Sequence, residues 1–196
     1  MGLAEGNIGF ERHVTRRLLV DERSLVVLDG LFDDRDVAAL YAFLRALPYR
    51  LNDVDVEETA YSRHWKAEFP IEMAEGMPLF RSCVQAALDL SRSRALRLSR
   101  AHANLHLYGD MQFPHVDLAG GVTALYYANP EWKESWLGET VFYDEAHEPL
   151  HTVAPKPGRL AIFDGDIVHR AGVPSRECFE PRISVAFKFV PSPAAR

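Results

Sequence analysis

Only two cysteines, Cys83 and Cys178, occur in the 196 residues, and they form no Cys-x-x-Cys pair. Two thiols cannot make a disulfide framework, so both are expected to be free. Positive charge is also in short supply: 22 Lys and Arg stand against 28 Asp and Glu, a net charge of −6. Binding to a nucleic-acid backbone or an anionic membrane rests on the opposite balance, so neither partner is expected. Long apolar runs are missing too. Nothing approaches the roughly 20 residues of a transmembrane helix, and the opening MGLAEGNIGFERHV has no hydrophobic signal core. Gly6 stands where a myristoylation signal needs Ser or Thr. A cytoplasmic chain is expected. Internal repeats and low-complexity linkers are absent as well, and the length favours one domain.

What the chain does hold is a patterned mix, with enough apolar side chains to fill one core. In LFDDRDVAALYAFLRALP, the residues Val37, Leu40, Tyr41, Leu44 and Leu47 recur at helical spacing and predict one apolar helix face. Asp33 is the expected N-cap, Phe32 and Val37 the expected hydrophobic staple, and Pro48 the stop. A second helix is expected to start at Pro78 and run through LFRSCVQAALDLSRS. Between them, Asn52 to Phe69 shows no sustained period and is expected to be a long irregular lid. There Tyr61, Arg63, Trp65 and Lys66 are candidate contacts to a primary substrate. A Trp is costly to leave in water, and neighbouring cations could meet a carboxylate.

From Leu96 the texture changes. LRLSRAHANLHLYG alternates, with His102, Asn104, His106 and Tyr108 on one face. GVTALYYAN, ETVFYD, GRLAIF and RISVAFKFV follow between Gly, Pro, Asp and Asn turns. Short strands at this spacing predict an antiparallel sandwich or barrel. Helices first and strands later make the expected fold class α+β, a jelly-roll core backed by N-terminal helices. The expected layout is one domain over 1–196, with 1–95 as helical support and lid and 96–190 as the core carrying a metal site.

The stretch FPHVDLAG sets His115 and Asp117 two positions apart. On a strand such side chains share a face, so one metal can take both. Two histidines and one carboxylate, leaving open positions, suit redox-capable iron. A third ligand must come from later in the chain, and His147, His151 and His169 are available. His147 sits in charged DEAHEP and His151 beside a proline-rich turn, contexts that suit surface or structural roles. His169, in FDGDIVHRAG, follows a turn and a short apolar step, which suits a ligand entering from a strand. Arg182 and Ser184 share one face of PRISVAFKF. An arginine fork with a neighbouring hydroxyl binds a carboxylate. The same alternation also fits a half-exposed strand with Arg182, Ser184 and Lys188 in water.

The ordered set of HxD, then His, then RxS, with VTALYYANPEW and GETVFYD between, resembles the 2-oxoglutarate- and iron(II)-dependent oxygenases. The likeness is strongest to their prolyl-hydroxylase-like branch and covers roughly residues 96–190. It implies a double-stranded β-helix in which His115, Asp117 and His169 bind Fe(II) and Arg182 binds the distal carboxylate of 2-oxoglutarate. Tyr127, with Thr123 on the same face, and Ser184 would assist Arg182, and Gly138 would make a tight entry into the next strand. O2 would be the second cosubstrate, with succinate and CO2 released. A carboxylate at Asp117, rather than the small residue of relatives that halogenate, favours hydroxylation on this resemblance, and desaturation or ring closure would use the same ligands. Thirteen residues separate His169 from Arg182, longer than in many relatives, and PSRECFEP is the expected loop insertion.

The expected substrate is a small or amino-acid-like molecule, with peptide and carrier-tethered substrates as alternatives. Two rival readings use the residues differently. A noncatalytic metal-binding jelly-roll sensor has no need of Arg182, Ser184 and Tyr127 as a set. A cupin-like metalloenzyme without 2-oxoglutarate would enlist His102 and His106 as further ligands.

Overall fold

The computed structural model describes residues 6–55, 57–91 and 96–192. Its helices are α1 (Gly6–Glu11), α2 (Asp34–Arg45), α3 (Ile71–Gly76) and α4 (Pro78–Leu90). Its strands begin with β1 (Val14–Val20), β2 (Arg23–Leu28), β3 (Arg50–Asp53), β4 (His64–Phe69), β5 (Leu96–His106) and β6 (Val122–Tyr127). They continue with β7 (Thr140–Tyr143), β8 (Pro149–Val153), β9 (Leu160–Asp164), β10 (His169–Ala171) and β11 (Arg182–Pro191). Among the described residues these form an eight-stranded sheet, β1-β2-β9-β6-β11-β5-β4-β3, and a three-stranded sheet, β10-β7-β8. None of the described helices is long and apolar enough to cross a membrane.

The α2 N-cap is as the sequence predicts: the Asp33 carboxylate accepts the Asp36 N–H at 2.8 Å, answering one of the donors a helix leaves open at its start. The helix stops at Arg45, before Pro48. Pro78 begins α4, where its missing N–H costs nothing. That helix ends at Leu90 with Ser91 as C-cap, and the predicted extension to Ser93 lies outside the described residues, as does the tail from 193.

The first 95 residues are not only helical support. They supply four strands, β1 to β4, of the large sheet. The β1–β2 hairpin turns on Asp21 and Glu22, both at positive φ (47° and 70°). Hairpin turns need that backbone but usually take Asn or Gly for it, so the sequence carried no turn signal there. The stretch read as an irregular lid is largely an edge hairpin. Its β4 pairs antiparallel with β5, Trp65 against Leu105 and Lys66 against Asn104.

Helices α2 and α4 cover one face of the large sheet. Leu40, Leu44, Phe80, Ala86 and Ala87 pack there with Ile183, Val185, Phe187 and Phe189 from β11. Each fully buried Leu or Phe contributes about 1.5–3 kcal/mol. Phe80 sits edge-on to Phe187 at 5.3 Å and to Phe69 at 5.4 Å. Against the other face lies the small sheet, where Phe142 and Val153 meet Leu125, Phe163 and Ala186. Because both faces are covered, β11 is buried along nearly its whole length. The polar side chains on its inner face therefore line a cavity between the sheets and not the surface.

Candidate metal centre

The cavity holds about 210 Å³. Three rows of side chains floor it, set by strand register. From β11 come Arg182, Ser184, Ala186 and Lys188. From β5 come His106, Asn104, His102 and Arg100, opposite them in the same order. From β6 come Leu125 and Thr123, opposite Ala186 and Lys188.

His115, Asp117 and His169 each offer a ligand atom, all within 4.8 Å of one another. His169 opens β10. His115 sits in a loop and not on the strand the spacing suggested, held by a two-way backbone bridge to His169 at 3.0 and 2.9 Å. The next turn is pinned by its glycines. Asp117 and Leu118 donate their N–H groups to the Gly165 carbonyl, and Gly165 donates to Gly121.

The donor set fits a metal ion. The ring Nδ1 of His115 lies 2.8 Å from the Phe113 carbonyl, and that of His169 lies 2.9 Å from the Ile167 carbonyl. A carbonyl only accepts, so both Nδ1 atoms carry the proton and both Nε2 atoms present lone pairs. Those lone pairs converge on Asp117, at 3.6 Å from its two oxygens. Two imidazole lone pairs facing a carboxylate form an all-acceptor cluster, which a bound cation would relieve. Burial lowers the His169 pKa to about 4, though Asp117 pulls the other way, so the imidazole is neutral and ready to ligate at ordinary pH. Burial alone would raise the Asp117 pKa, but His169, Lys188 and His115 together hold it far below the usual carboxylate range.

Asp117 is gripped on both sides. Thr123 donates its hydroxyl to Oδ2 at 2.6 Å, and Lys188 reaches Oδ1 at 2.7 Å. Thr123, expected beside the cosubstrate, is thus committed to the Asp117 carboxylate. Lys188, left facing water as one reading of its strand, is turned inward with only 18% of its side chain exposed.

At the other end of β11 stands Arg182, 1% exposed. Arg182 donates to the Gly138 carbonyl at 2.8 Å, to Thr140 at 3.2 Å and weakly to Ser184 at 3.5 Å. No carboxylate lies within ion-pair distance of it among the described residues. Burial lowers its pKa, yet guanidinium stays charged in proteins. Tyr127 lies under the guanidinium with its ring centre at 5.4 Å, but its hydroxyl is turned to Thr140 at 2.7 Å and the Val153 carbonyl at 3.3 Å. Thr140, which sequence reasoning missed, accepts from both Arg182 and Tyr127 and keeps its own proton for the cavity it lines. Gly138 has φ +80, and a Cβ there would come within 3.2 Å of the Arg182 side chain. Between the two ends Ala186, Leu125 and Phe163 form an apolar stretch of the lining.

The remaining candidates fall elsewhere. Trp65 shares the sheet face of Leu105, opposite the cavity. Tyr61 is 79% exposed, Arg63 is exposed, and Lys66 is bound to Asp53 and Glu68. None of the four lines the cavity, where Asp53, Asp55 and Arg100 stand instead. His151 lies 3.1 Å from the Leu19 carbonyl, and His147 occupies a turn at φ 61°. His102 and His106 line the barrel as buried rings. Both nitrogens of His106 and Nδ1 of His102 lack a partner, and burial holds both pKa values well below the usual range. The PSRECFEP loop is tied to the 134–137 turn, with Ser175 bonded to Trp136 and Ser135.

Residues 103–189 match the family model of the 2OG-Fe(II) oxygenase superfamily. No curated protein matches the sequence significantly. Among solved structures, a prolyl-4-hydroxylase from Pseudomonas putida superposes with a TM-score of 0.61 at 18% identity, covering 86% of this chain and 92% of that one. HygX from Streptomyces hygroscopicus, solved with nickel and 2-oxoglutarate, superposes at 0.63 and 12% identity, covering 97% and 88%. The α-ketoglutarate-dependent epimerase SnoN of nogalamycin biosynthesis does so at 0.65 and 18%, covering 95% and 82%. Likeness at such identity is likeness of fold: the double-stranded β-helix expected from the strand pattern.

Proposed function

We propose that this chain, whose residues 103–189 match the 2OG-Fe(II) oxygenase superfamily, is a 2-oxoglutarate- and iron(II)-dependent oxygenase that hydroxylates an aliphatic C–H bond of a small, amino-acid-like molecule. One observation carries the reading: a single cavity joins a two-histidine, one-carboxylate cluster to a buried guanidinium that has no carboxylate within ion-pair distance among the described residues. His115, Asp117 and His169 would hold Fe(II). When bound, the metal with 2-oxoglutarate and O2 supplies the oxidising power, and succinate and CO2 leave.

The protein's own residues bind and orient. Arg182 presents its fork to the distal carboxylate, with Thr140 and Ser184 hydroxyls beside it, while Gly138 and the Tyr127 ring hold the fork in place. Ala186 leaves room for the cosubstrate's methylene carbons, and Leu125 and Phe163 keep water from them. Thr123 and Lys188 fix the plane of the Asp117 carboxylate. At the Lys188 end, Arg100 and Asp53 offer both signs of charge to the cavity, which suits a zwitterionic substrate.

Anaerobic titration tests this. Adding 2-oxoglutarate to the Fe(II) protein is expected to change its visible spectrum, with no change in His169→Ala. A succinate screen over amino-acid-like compounds should then find coupled turnover. A spectrum indifferent to 2-oxoglutarate would sink the reading and return attention to a cupin-like site. A spectral change with no succinate from any substrate would favour a metal-binding sensor.

A further inference from the structure

Asp55 lies in the segment after β3, far in sequence from the triad, yet its carboxylate is 2% exposed and reaches the metal cluster. Its Oδ2 accepts the Phe113 N–H at 2.6 Å. The same oxygen lies 2.9 Å from His64 Nε2, which must be the donor. Its Oδ1 stands 3.5 Å from Nδ1 of His115. The backbone of Phe113 is therefore held on both sides of its Cα: its N–H by Asp55, its carbonyl by the Nδ1–H of His115. Two lighter contacts run alongside. The Tyr61 ring packs edge-on to Phe113 at 5.9 Å, and Ser62 touches the Met111 carbonyl.

We propose that Asp55 is a positioning residue of the metal centre, and that through it the segment 57–64 is a strap whose seating is coupled to metal binding. The inference rests on the metal reading given above and deepens it. A buried carboxylate is costly unless its lone pairs are used. Here they hold Phe113, the residue whose carbonyl fixes the His115 tautomer, and so help aim its Nε2. Positive charge drawn onto the His115 ring by a cation would face Asp55 Oδ1 directly. Outer partners of ligating histidines commonly carry about 10–100-fold in metal affinity. Asp55 differs from most in acting mainly through an intervening residue, Phe113.

Co²⁺ is the probe. Its dissociation constant is measured for wild type, Asp55→Asn and His169→Ala, together with amide hydrogen exchange at 57–63 with and without Co²⁺. Asp55→Asn is expected to bind about 10–100-fold more weakly with an unchanged circular dichroism spectrum. Wild-type amides at 57–63 are expected to exchange more slowly once Co²⁺ binds. Wild-type affinity in Asp55→Asn, with binding lost in His169→Ala, overturns the strap and leaves the proposed function standing. Co²⁺ binding that His169→Ala does not weaken overturns both. Should Asp55→Asn fail to fold, the wild type decides alone: exchange at 57–63 indifferent to Co²⁺ refutes the coupling.

Discussion

Replacing Arg182 with Met separates its two costs. In the protein without cosubstrate, the guanidinium is a buried charge with no ion-pair partner among the described residues, held by one carbonyl and two hydroxyls. Removing it leaves the Gly138 carbonyl without its donor, a loss of about 1–3 kcal/mol. Thr140 and Ser184 can rotate toward other partners. Against that loss stands relief of the buried charge, and apolar replacements of buried ions are often neutral or stabilising by about 1–4 kcal/mol. The two effects nearly cancel, so the melting temperature should move by only a few degrees in either direction. Binding does not cancel. A carboxylate entering the same pocket would lie desolvated and unpaired, a penalty of about 2–5 kcal/mol, or roughly 30- to 5,000-fold in affinity at about 1.4 kcal/mol per decade. Calorimetric titration of 2-oxoglutarate into Mn²⁺-loaded protein, wild type and Arg182→Met, measures it without turnover. A dissociation constant within threefold of wild type would refute the assignment of Arg182 to the cosubstrate.

Two further outcomes follow from the same geometry. Lys188→Met removes a cation that is paired to Asp117 at 2.7 Å and competes with a metal for that carboxylate, so Co²⁺ should bind more tightly, with Lys188→Arg close to wild type; equal constants for all three proteins would make Lys188 a substrate contact instead. Acid should destabilise the metal-free protein: His102, His106 and His169 have depressed pKa values in the fold, that of His169 near 4, while the unfolded chain protonates near pH 6.5. The unfolded state then binds more protons, so stability is full above about pH 6.5 and is lost below it, about 4 kcal/mol for the three together between pH 7.5 and 5.5. Urea midpoints at the two pH values that agree would contradict the buried, neutral state of these rings.

How much of this was legible beforehand depended on where each signal lay. Helix α2 announced itself because its cap and apolar stripe sit within one stretch of chain, and β5, β6, β9 and β11 because each alternates or runs apolar over its own length. The hairpin β1–β2 was illegible because Asp21 and Glu22 adopt a backbone their side chains do not advertise, and β4 because its six residues mix charged and apolar side chains without a clean period. The triad was legible as types and order, since His115, Asp117 and His169 carry their chemistry in their own side chains. Their partners were not. Thr140 and Lys188 read as ordinary strand residues until register set them opposite Arg182 and Asp117. Asp55 read as one more acid in LNDVDVEET until the edge hairpin folded it against Phe113.

That division has a physical origin. A ligand's identity is local, whereas the hydrogen bonds that fix its tautomer and tilt come from whichever segment the sheet order brings alongside. In this chain the order β11-β5-β4-β3 carries the strap to the metal cluster across three strand pairings. A substitution that loosens the β4–β5 pairing, though it touches no ligand, should therefore lower metal affinity by freeing Asp55. Ala67→Pro would do so by removing an N–H from a strand flanked on both sides, β3 and β5. Its signature would be loss of Co²⁺ affinity together with fast exchange at 57–63, while the helix-backed face around Phe80 and Phe187 stays protected. Unaltered Co²⁺ affinity in a variant whose β4 amides exchange freely would show that His115 is aimed without help from the edge of the sheet.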